Sequence, residues 1–269
     1  MIDVRGDHKL QNIMFLCFLS SVLLNVYLMH KSDQPKYIII AIALLLAYWI
    51  SSRLMIRSSL TIDNEVRKTM RPVYQAKKME NDAKTPKILF QTYKNLNSVP
   101  QKVTEMRKKF AGNYRYEFYD DARSEEFLKT NYGDFLLQKY KKLKSGAHRA
   151  DLLRYCLLYQ FGGVYMDIKT ELLTKLDDIV KDNKTMYTVL SVIPSTIYQG
   201  IIATPPGNPL FRTLIDLVLS TPDQELDGQY QYFTSQFYNV LRHVVGTDRL
   251  KSQIYYSYPY NVELLKEIH

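Results

Sequence analysis

Two runs of apolar residues without a charge lie near the amino terminus of the chain. The first covers residues 13–29, the second covers 37–52, and a polar link of residues 30–36 separates them. A helix needs about 20 residues to cross a bilayer, with a lower limit of about 17, and Arg53 can snorkel to lengthen the second helix. We predict a transmembrane helical hairpin with helices at about 13–29 and 37–56. One span followed by an interfacial helix is the alternative.

Positive charge is uneven around the predicted hairpin. The link holds only Lys31 and Lys36, whereas the flanks hold Arg5, Lys9, Arg53, Arg57, Arg67, Lys68 and Arg71. The positive-inside rule then predicts an integral membrane protein whose following domain is cytosolic. The two cysteines form no CxxC motif, which agrees with a reducing compartment. The triplet Asn183-Lys184-Thr185 is a glycosylation sequon, so the ER or Golgi lumen is the alternative location.

Regular periodicity begins at Pro86, after a polar stretch with no clear period. Strand patterns occupy 86–93, 114–119, 164–169, 186–192 and 200–204, and helix patterns occupy 99–110, 122–130, 133–144, 147–161 and 208–219. This alternation predicts an α/β sandwich with a mainly parallel sheet. We therefore expect residues 1–58 to form a membrane anchor, 59–85 a neck and 86–269 one globular domain.

The formal net charge of +9 favours anionic partners such as acidic lipids or phosphate-bearing ligands. Four lysines, at positions 139, 141, 142 and 144, resemble a nucleic-acid patch. Because no zinc spacing, RNA-binding signature or basic-zipper pattern accompanies them, we expect a solvated helix face and no nucleic-acid partner.

The predicted helix at 147–161 carries three polar residues on one face. Asp151 and Arg154 are three residues apart, and His148 precedes Asp151 by three, so their side chains share that face. An ordinary surface ion pair between Asp151 and Arg154, worth well under about 1 kcal/mol, explains the spacing equally well.

A second charged pair follows the helix. Gly162-Gly163 permits the helix to end and the chain to turn into a strand. On that strand Asp167 and Lys169 are two residues apart, so we expect them to point the same way. Carboxylates accept hydrogen bonds from sugar hydroxyls, and arginine or lysine neutralises a diphosphate. The combination predicts a site for a ligand with both hydroxyls and phosphates.

The run from Ala147 to Lys169, A-H-R-A-D-L-L-R-Y-C-L-L-Y-Q-F-G-G-V-Y-M-D-I-K, resembles the core signature of the DXD-containing glycosyltransferases of family 32. That group includes the initiation-specific α-1,6-mannosyltransferase. P-K-I-L-F-Q-T-Y-K at 86–94 and Q-G-I-I-A-T-P-P-G-N-P-L-F at 199–211 resemble its opening and later segments. The resemblance covers roughly residues 86 to 215.

This resemblance implies a GT-A-type, Rossmann-like fold and retaining transfer of a hexose from a UDP- or GDP-sugar to a hydroxyl of a glycan or lipid. The residues it implies as catalytic are Asp151, Arg154, Asp167 and Lys169. Those it implies as donor-binding are Phe90, Gln91, Thr92, His148, Asp151, Arg154, Gly162, Gly163 and Tyr165. No nucleophile or general base is implied.

The chain departs from the DXD pattern at its second acidic position, which is Lys169 here. The family's Mn²⁺ or Mg²⁺ is therefore in question, because an ammonium beside the cation is electrostatically unfavourable. Three explanations remain open. Lys169 replaces the metal, a weaker metal site survives on Asp167 with help from the donor phosphates and Glu171, or the chain is an inactive membrane-bound sugar-nucleotide-binding pseudoenzyme.

Overall fold

A computed structural model describes residues 83–257 and 259–267. The predicted hairpin at 13–29 and 37–56, its orientation and nearly all of the predicted neck lie outside these residues and stay predictions. Within the described ranges, no helix combines the length and the apolar character that a membrane crossing requires.

One mixed sheet of seven strands organises the described residues. The strands are β1 (Ile88–Thr92), β2 (Arg115–Tyr119), β3 (Gly163–Met166), β4 (Thr185–Leu190), β5 (Ile197–Thr204), β6 (Ile254–Tyr255) and β7 (Asn261–Lys266). Their spatial order is β2-β1-β3-β5-β4-β7-β6. The pairs β1–β2, β1–β3 and β4–β7 are parallel, and the pairs β3–β5, β4–β5 and β6–β7 are antiparallel. The α/β class is confirmed, but the sheet is mixed and not mainly parallel.

The antiparallel direction of β5 follows from a short connection. Only residues 191–196 join β4 to β5. A parallel crossover needs a dozen or more residues, so β5 returns beside β4 as a hairpin. Because β1, β3 and β4 still run the same way, their carboxyl ends meet at one edge, called the carboxyl edge below.

Seven helices accompany these strands in the described part of the chain: α1 (Gln101–Ala111), α2 (Asp121–Lys142), α3 (Gly146–Phe161), α4 (Leu176–Ile179), α5 (Pro209–Ser220), α6 (Asp223–Gly228) and α7 (Tyr232–Val244). The two helices expected at 122–130 and 133–144 are the halves of α2, which Gly133 breaks with a φ of 81°. No elements were expected after residue 219, so α6, α7, β6 and β7 were missed.

Helix α3 is buried along most of its length. Every residue from Asp151 to Tyr159 is buried, as expected for a helix that is apolar on nearly all sides. The ring of Tyr155 packs against the rings of Phe211 on α5 and of Phe233 and Phe237 on α7. This packing fixes the helix so that its first turn reaches the carboxyl edge.

The lysines at the end of α2 are neutralised within the protein. Lys139, only 10% exposed, pairs with Asp223 at 2.6 Å and donates to the carbonyl of Thr221. The other three lie within ion-pair distance of carboxylates, Lys141 of Glu125, Lys142 of Asp223 and Lys144 of Asp227. The expectation of a solvated face was wrong for Lys139, because the acidic ends of α6 dock on this part of α2.

Candidate active site

The double glycine connects α3 directly to β3, since the helix ends at Phe161 and the strand begins at Gly163. Gly162 has φ 63° and Gly163 has φ 96°, values that favour glycine over any residue with a Cβ. A Cβ on Gly162 would lie 2.5 Å from the backbone nitrogen of Pro206, and one on Gly163 would lie 2.9 Å from the carbonyl oxygen of Ile88. Both glycines are buried and serve this close packing. The tight connection sets β3 beside α3, so that Asp167 after β3 meets Arg154.

Arg154 joins the two acidic residues that the sequence singled out. One terminal nitrogen, Nη2, lies 3.0 Å from Asp151 Oδ1 and 3.2 Å from Asp167 Oδ1. The other, Nη1, donates to the carbonyl of Gln199 on β5, and Nε donates to that of Ala150 at 3.3 Å. The guanidinium is 4.5 Å above the ring of Tyr165. Because Arg154 and Asp151 are both buried, the alternative of an ordinary surface ion pair is wrong.

Burial of this charged cluster shifts the pKa values of its members. Burial raises the pKa of Asp151 to about 6, and the nearby Asp167 adds to this, against the opposing effect of Arg154. Burial alone would lower the pKa of Arg154, but the attraction of Asp167, Tyr165 and Asp151 raises it. Burial also raises the pKa of Tyr165 well above its usual value. The Tyr165 phenol therefore stays protonated and donates to Asp167 Oδ1 at 3.0 Å.

The chain turns directly after Asp167. The strand that the sequence predicted at 164–169 therefore ends earlier than expected. β3 ends at Met166, and the amide of Thr170 donates to the carbonyl of Asp167 at 3.0 Å. The carbonyl of Gly200 accepts from the Asp167 amide at 2.8 Å and from the Thr170 hydroxyl at 2.9 Å. The expected extended geometry of Asp167 and Lys169 is thus wrong, since Lys169 lies at the exposed tip of an anchored turn.

A cleft of about 1000 Å³ opens at the carboxyl edge beside this turn. This volume is at the upper end of the range for pockets that bind small molecules. Four of the residues expected in the site line the cleft: Thr92, Tyr165, Asp167 and Lys169. The walls also include the first turn of α3, with Arg149, and the segment after β1, with Lys94.

The other expected residues do not line the cleft. Phe90 and Gln91 are buried in β1. His148 is buried, with Nε2 3.1 Å from the carbonyl of Tyr230 and with its ring against Phe233. Asp151, Arg154, Gly162 and Gly163 are likewise absent from the lining. Direct donor contacts by these residues stay predictions.

Sequence reasoning missed several cleft residues. They include Tyr93, Lys94, Lys102, Asp121, Tyr140 and Arg149. A signal existed for three of them, because Arg149 lies inside the motif run and Tyr93 and Lys94 end the segment 86–94. Asp121 and Tyr140 come from the two ends of α2, and only the folded chain brings them to the cleft.

The donor set near Asp167 does not fit a protein-built metal site. Asp167 Oδ1 is already engaged by Arg154 and Tyr165, and Glu171 pairs with Lys102 at 3.0 Å. Among the described residues, no three His, Cys, Asp or Glu side chains converge on a point where a metal ion could bind. Mg²⁺ and Mn²⁺ prefer several hard oxygen ligands, and the second position of the motif supplies an ammonium.

Comparison with known proteins agrees with the motif. Residues 77–186 match the family model described as the glycosyltransferase sugar-binding region containing the DXD motif. An inositol phosphoceramide mannosyltransferase of Schizosaccharomyces pombe is 29% identical over 158 residues, 58% of this chain and 42% of its own. A mannosyl phosphorylinositol ceramide synthase of Saccharomyces cerevisiae is 36% identical over 129 residues, 47% of this chain and 32% of its own.

Two further similarities complete the comparison. The initiation-specific α-1,6-mannosyltransferase of Saccharomyces cerevisiae is 29% identical over 115 residues, 39% of this chain and 24% of its own. A solved structure, the PaToxG glycosyltransferase, aligns with a TM-score of 0.45 at 14% identity, over 72% of this chain and 80% of its own. This chain spans less than half the length of each of the three curated relatives. The resemblance inferred from the motif is confirmed, since residues 77–186 are similar to the sugar-binding region of the DXD-containing glycosyltransferases of family 32.

Proposed function

We propose that this chain transfers a hexose from a UDP- or GDP-sugar to a hydroxyl group of a glycan or glycolipid, with retention at the anomeric carbon. The observation that carries the proposal is the Arg154 bridge between Asp151 and Asp167 at the wall of the cleft. We take residues 86–269 as the catalytic domain and assign it the GT-A type. The relatives reported above are named for mannosyl transfer, so GDP-mannose is the first donor to test.

Arg154 acts here as a positioning residue. Its nitrogens already donate to two carbonyls and two carboxylates, and only 5% of its side chain is exposed. It therefore fixes Asp167 in one orientation. Asp167 Oδ1 accepts from Arg154 and Tyr165, which leaves Oδ2 to accept a hydroxyl of the donor sugar. A carboxylate held in this way positions the sugar at little entropic cost.

The cations that face the leaving diphosphate come from the cleft wall. Lys169 at the tip of the turn and Arg149 in the first turn of α3 both line the cleft. The amino terminus of α3 adds unpaired backbone N–H groups, because its N-cap Ser145 makes no side-chain capping bond. We propose that these groups neutralise the diphosphate in place of a metal held by the protein.

The proposal is tested by incubating the full chain with a panel of UDP- and GDP-sugars and measuring release of the nucleoside diphosphate. We expect turnover with one donor and its loss in Asp167→Asn. Asp216→Asn is the matched control, because Asp216 pairs with Arg212 on the surface of α5, away from the cleft. Donor binding without release of the diphosphate by the natural chain would contradict the proposal and favour the pseudoenzyme.

A further inference from the structure

Four exposed apolar side chains lie at the carboxyl edge, where the cleft opens. Tyr93 and Leu96 follow β1, and Val192 and Ile193 follow β4. Each is between 37% and 56% exposed. We call these four residues the apolar rim. Because β1 and β4 run the same way and are separated by only β3 and β5, the two halves of the rim lie roughly 14 Å apart at strand spacing.

The hairpin that carries Val192 and Ile193 projects beyond its neighbour. Ile201 of β5 pairs with Met166, the last residue of β3, and β5 begins four residues earlier, at Ile197. Four extended residues reach roughly 13 Å past the end of β3. The tip of the hairpin formed by β4 and β5 therefore projects beyond the end of β3 at the carboxyl edge.

The tip is held in a fixed conformation. The amide of Val192 donates to the carboxylate of Glu267 at 2.8 Å, and the hydroxyl of Thr196 donates to the carbonyl of Ile193 at 2.8 Å. Ser195 takes the positive φ of 59° that the turn requires. Projecting turns are usually built from Gly, Asn, Asp and Ser. Here an anchored turn displays valine and isoleucine to the solvent.

Two exposed lysines that line the cleft, Lys94 and Lys169, accompany the rim. In the described part of the chain neither of them takes part in an ion pair. Apolar side chains beside unpaired cations match the interface of a bilayer with anionic headgroups, where acyl chains cover the former and phosphates the latter. A second copy of this chain docked through the same face would present the same positive charges and be repelled.

We propose that the apolar rim docks on an anionic lipid bilayer, with Val192 and Ile193 inserted among the acyl chains and with the cleft facing the headgroups. This deepens the proposed function, since it brings the cleft to an acceptor that stays in the membrane. A glycosyltransferase with a lipid acceptor needs such an arrangement, because a headgroup hydroxyl reaches only a short distance from the bilayer.

The test places a fluorescent reporter on the rim of the full chain. The single tryptophan, Trp49, is replaced by phenylalanine, and Ile193→Trp supplies the reporter. The matched control is Tyr256→Trp. Tyr256 is 84% exposed and precedes β7, which is parallel to β4, so it lies at the opposite edge. Both proteins are reconstituted in vesicles of phosphatidylcholine with about 30 mol% phosphatidylserine, with and without brominated acyl chains.

We expect brominated acyl chains to quench the Ile193→Trp emission by at least about half and to leave the Tyr256→Trp emission unchanged. In a second measurement, the pair Val192→Ser and Ile193→Ser should lower transfer to an acceptor in vesicles by roughly tenfold, with donor hydrolysis unchanged. Equal quenching of the two reporters, or none at either, would overturn the proposal. So would a blue shift of Ile193→Trp that depends on protein concentration and not on bromine, since a second copy would then cover the rim.

The quenching experiment reports docking independently of turnover. Quenching at Ile193→Trp in a chain that turns over no nucleotide sugar would leave the docking intact and remove the proposed function. Turnover of a nucleotide sugar without quenching at Ile193→Trp would remove the docking and leave the proposed function intact.

Discussion

Replacing Lys169 with alanine should slow sugar transfer by roughly 30- to 150-fold without unfolding the protein. Lys169 is exposed at the tip of the turn after β3, and no described carboxylate pairs with it, so its removal leaves the folded structure unchanged. It nevertheless lines the cleft beside Asp167. A loss of activity is therefore attributable to the transition state and not to stability.

The magnitude follows from the electrostatics of an ammonium beside a departing diphosphate. Two unit charges about 4 Å apart attract by about 1 kcal/mol in water and by about 4 kcal/mol at the effective dielectric constant of a protein surface. Because donor binding removes only part of the water around Lys169, we expect a loss of about 2–3 kcal/mol. Each 1.36 kcal/mol of barrier is a tenfold change in rate, which gives the range stated above.

The assay is release of the nucleoside diphosphate in excess chelator, with Lys175→Ala as the control. Lys175 is exposed as well, but it does not line the cleft. We expect the natural chain and Lys175→Ala to work in chelator and Lys169→Ala to be nearly inactive. Lys169→Asp should recover part of its activity only when Mn²⁺ is added. A natural chain that is silent in chelator, together with an unimpaired Lys169→Ala, would refute the reasoning.

Three further predictions concern stability. The folded-state pKa of Asp151 is raised from 3.8 to about 6, so the free energy of unfolding should fall by the order of 3 kcal/mol as the pH rises from about 4 to above 6. Thermal melts of Asp151→Asn, which should also lose transfer activity, should lack this fall, and parallel pH profiles would contradict it. Gly162→Ala should cost more than about 2 kcal/mol in denaturant unfolding, whereas Gly228→Ala, where a Cβ meets nothing within 4 Å, should be neutral. Lys139→Met should lower the free energy of unfolding by about 2–3 kcal/mol, because it leaves Asp223 without its buried partner. Lys142→Met should lower it by less than about 0.5 kcal/mol, because the Lys142 side chain is 55% exposed. Equal losses of stability in the two variants would argue against the buried pair.

Most local structure around the site could be predicted from the sequence. The helix at 147–161 and the contact between Asp151 and Arg154 follow from the 3.6-residue period and the three-residue spacing, which depend on neighbours along the chain. The double glycine likewise indicated a sharp connection into β3. The helix α7 carried a similar signal, with Phe233, Phe237 and Leu241 at helical spacing on its buried side, but no element was expected there.

Only the tertiary structure decided what these elements face. The Gly200 carbonyl anchors the turn that carries Lys169, although Gly200 lies more than thirty residues away in the sequence. Burial of Phe90 and Gln91 in the sheet depends on the strands on either side of β1. The sequence by itself determined the charged groups of the motif, Asp151, Arg154, Asp167 and Lys169. The packing of distant segments decided which of them reach the cleft, because such contacts leave no period in the sequence.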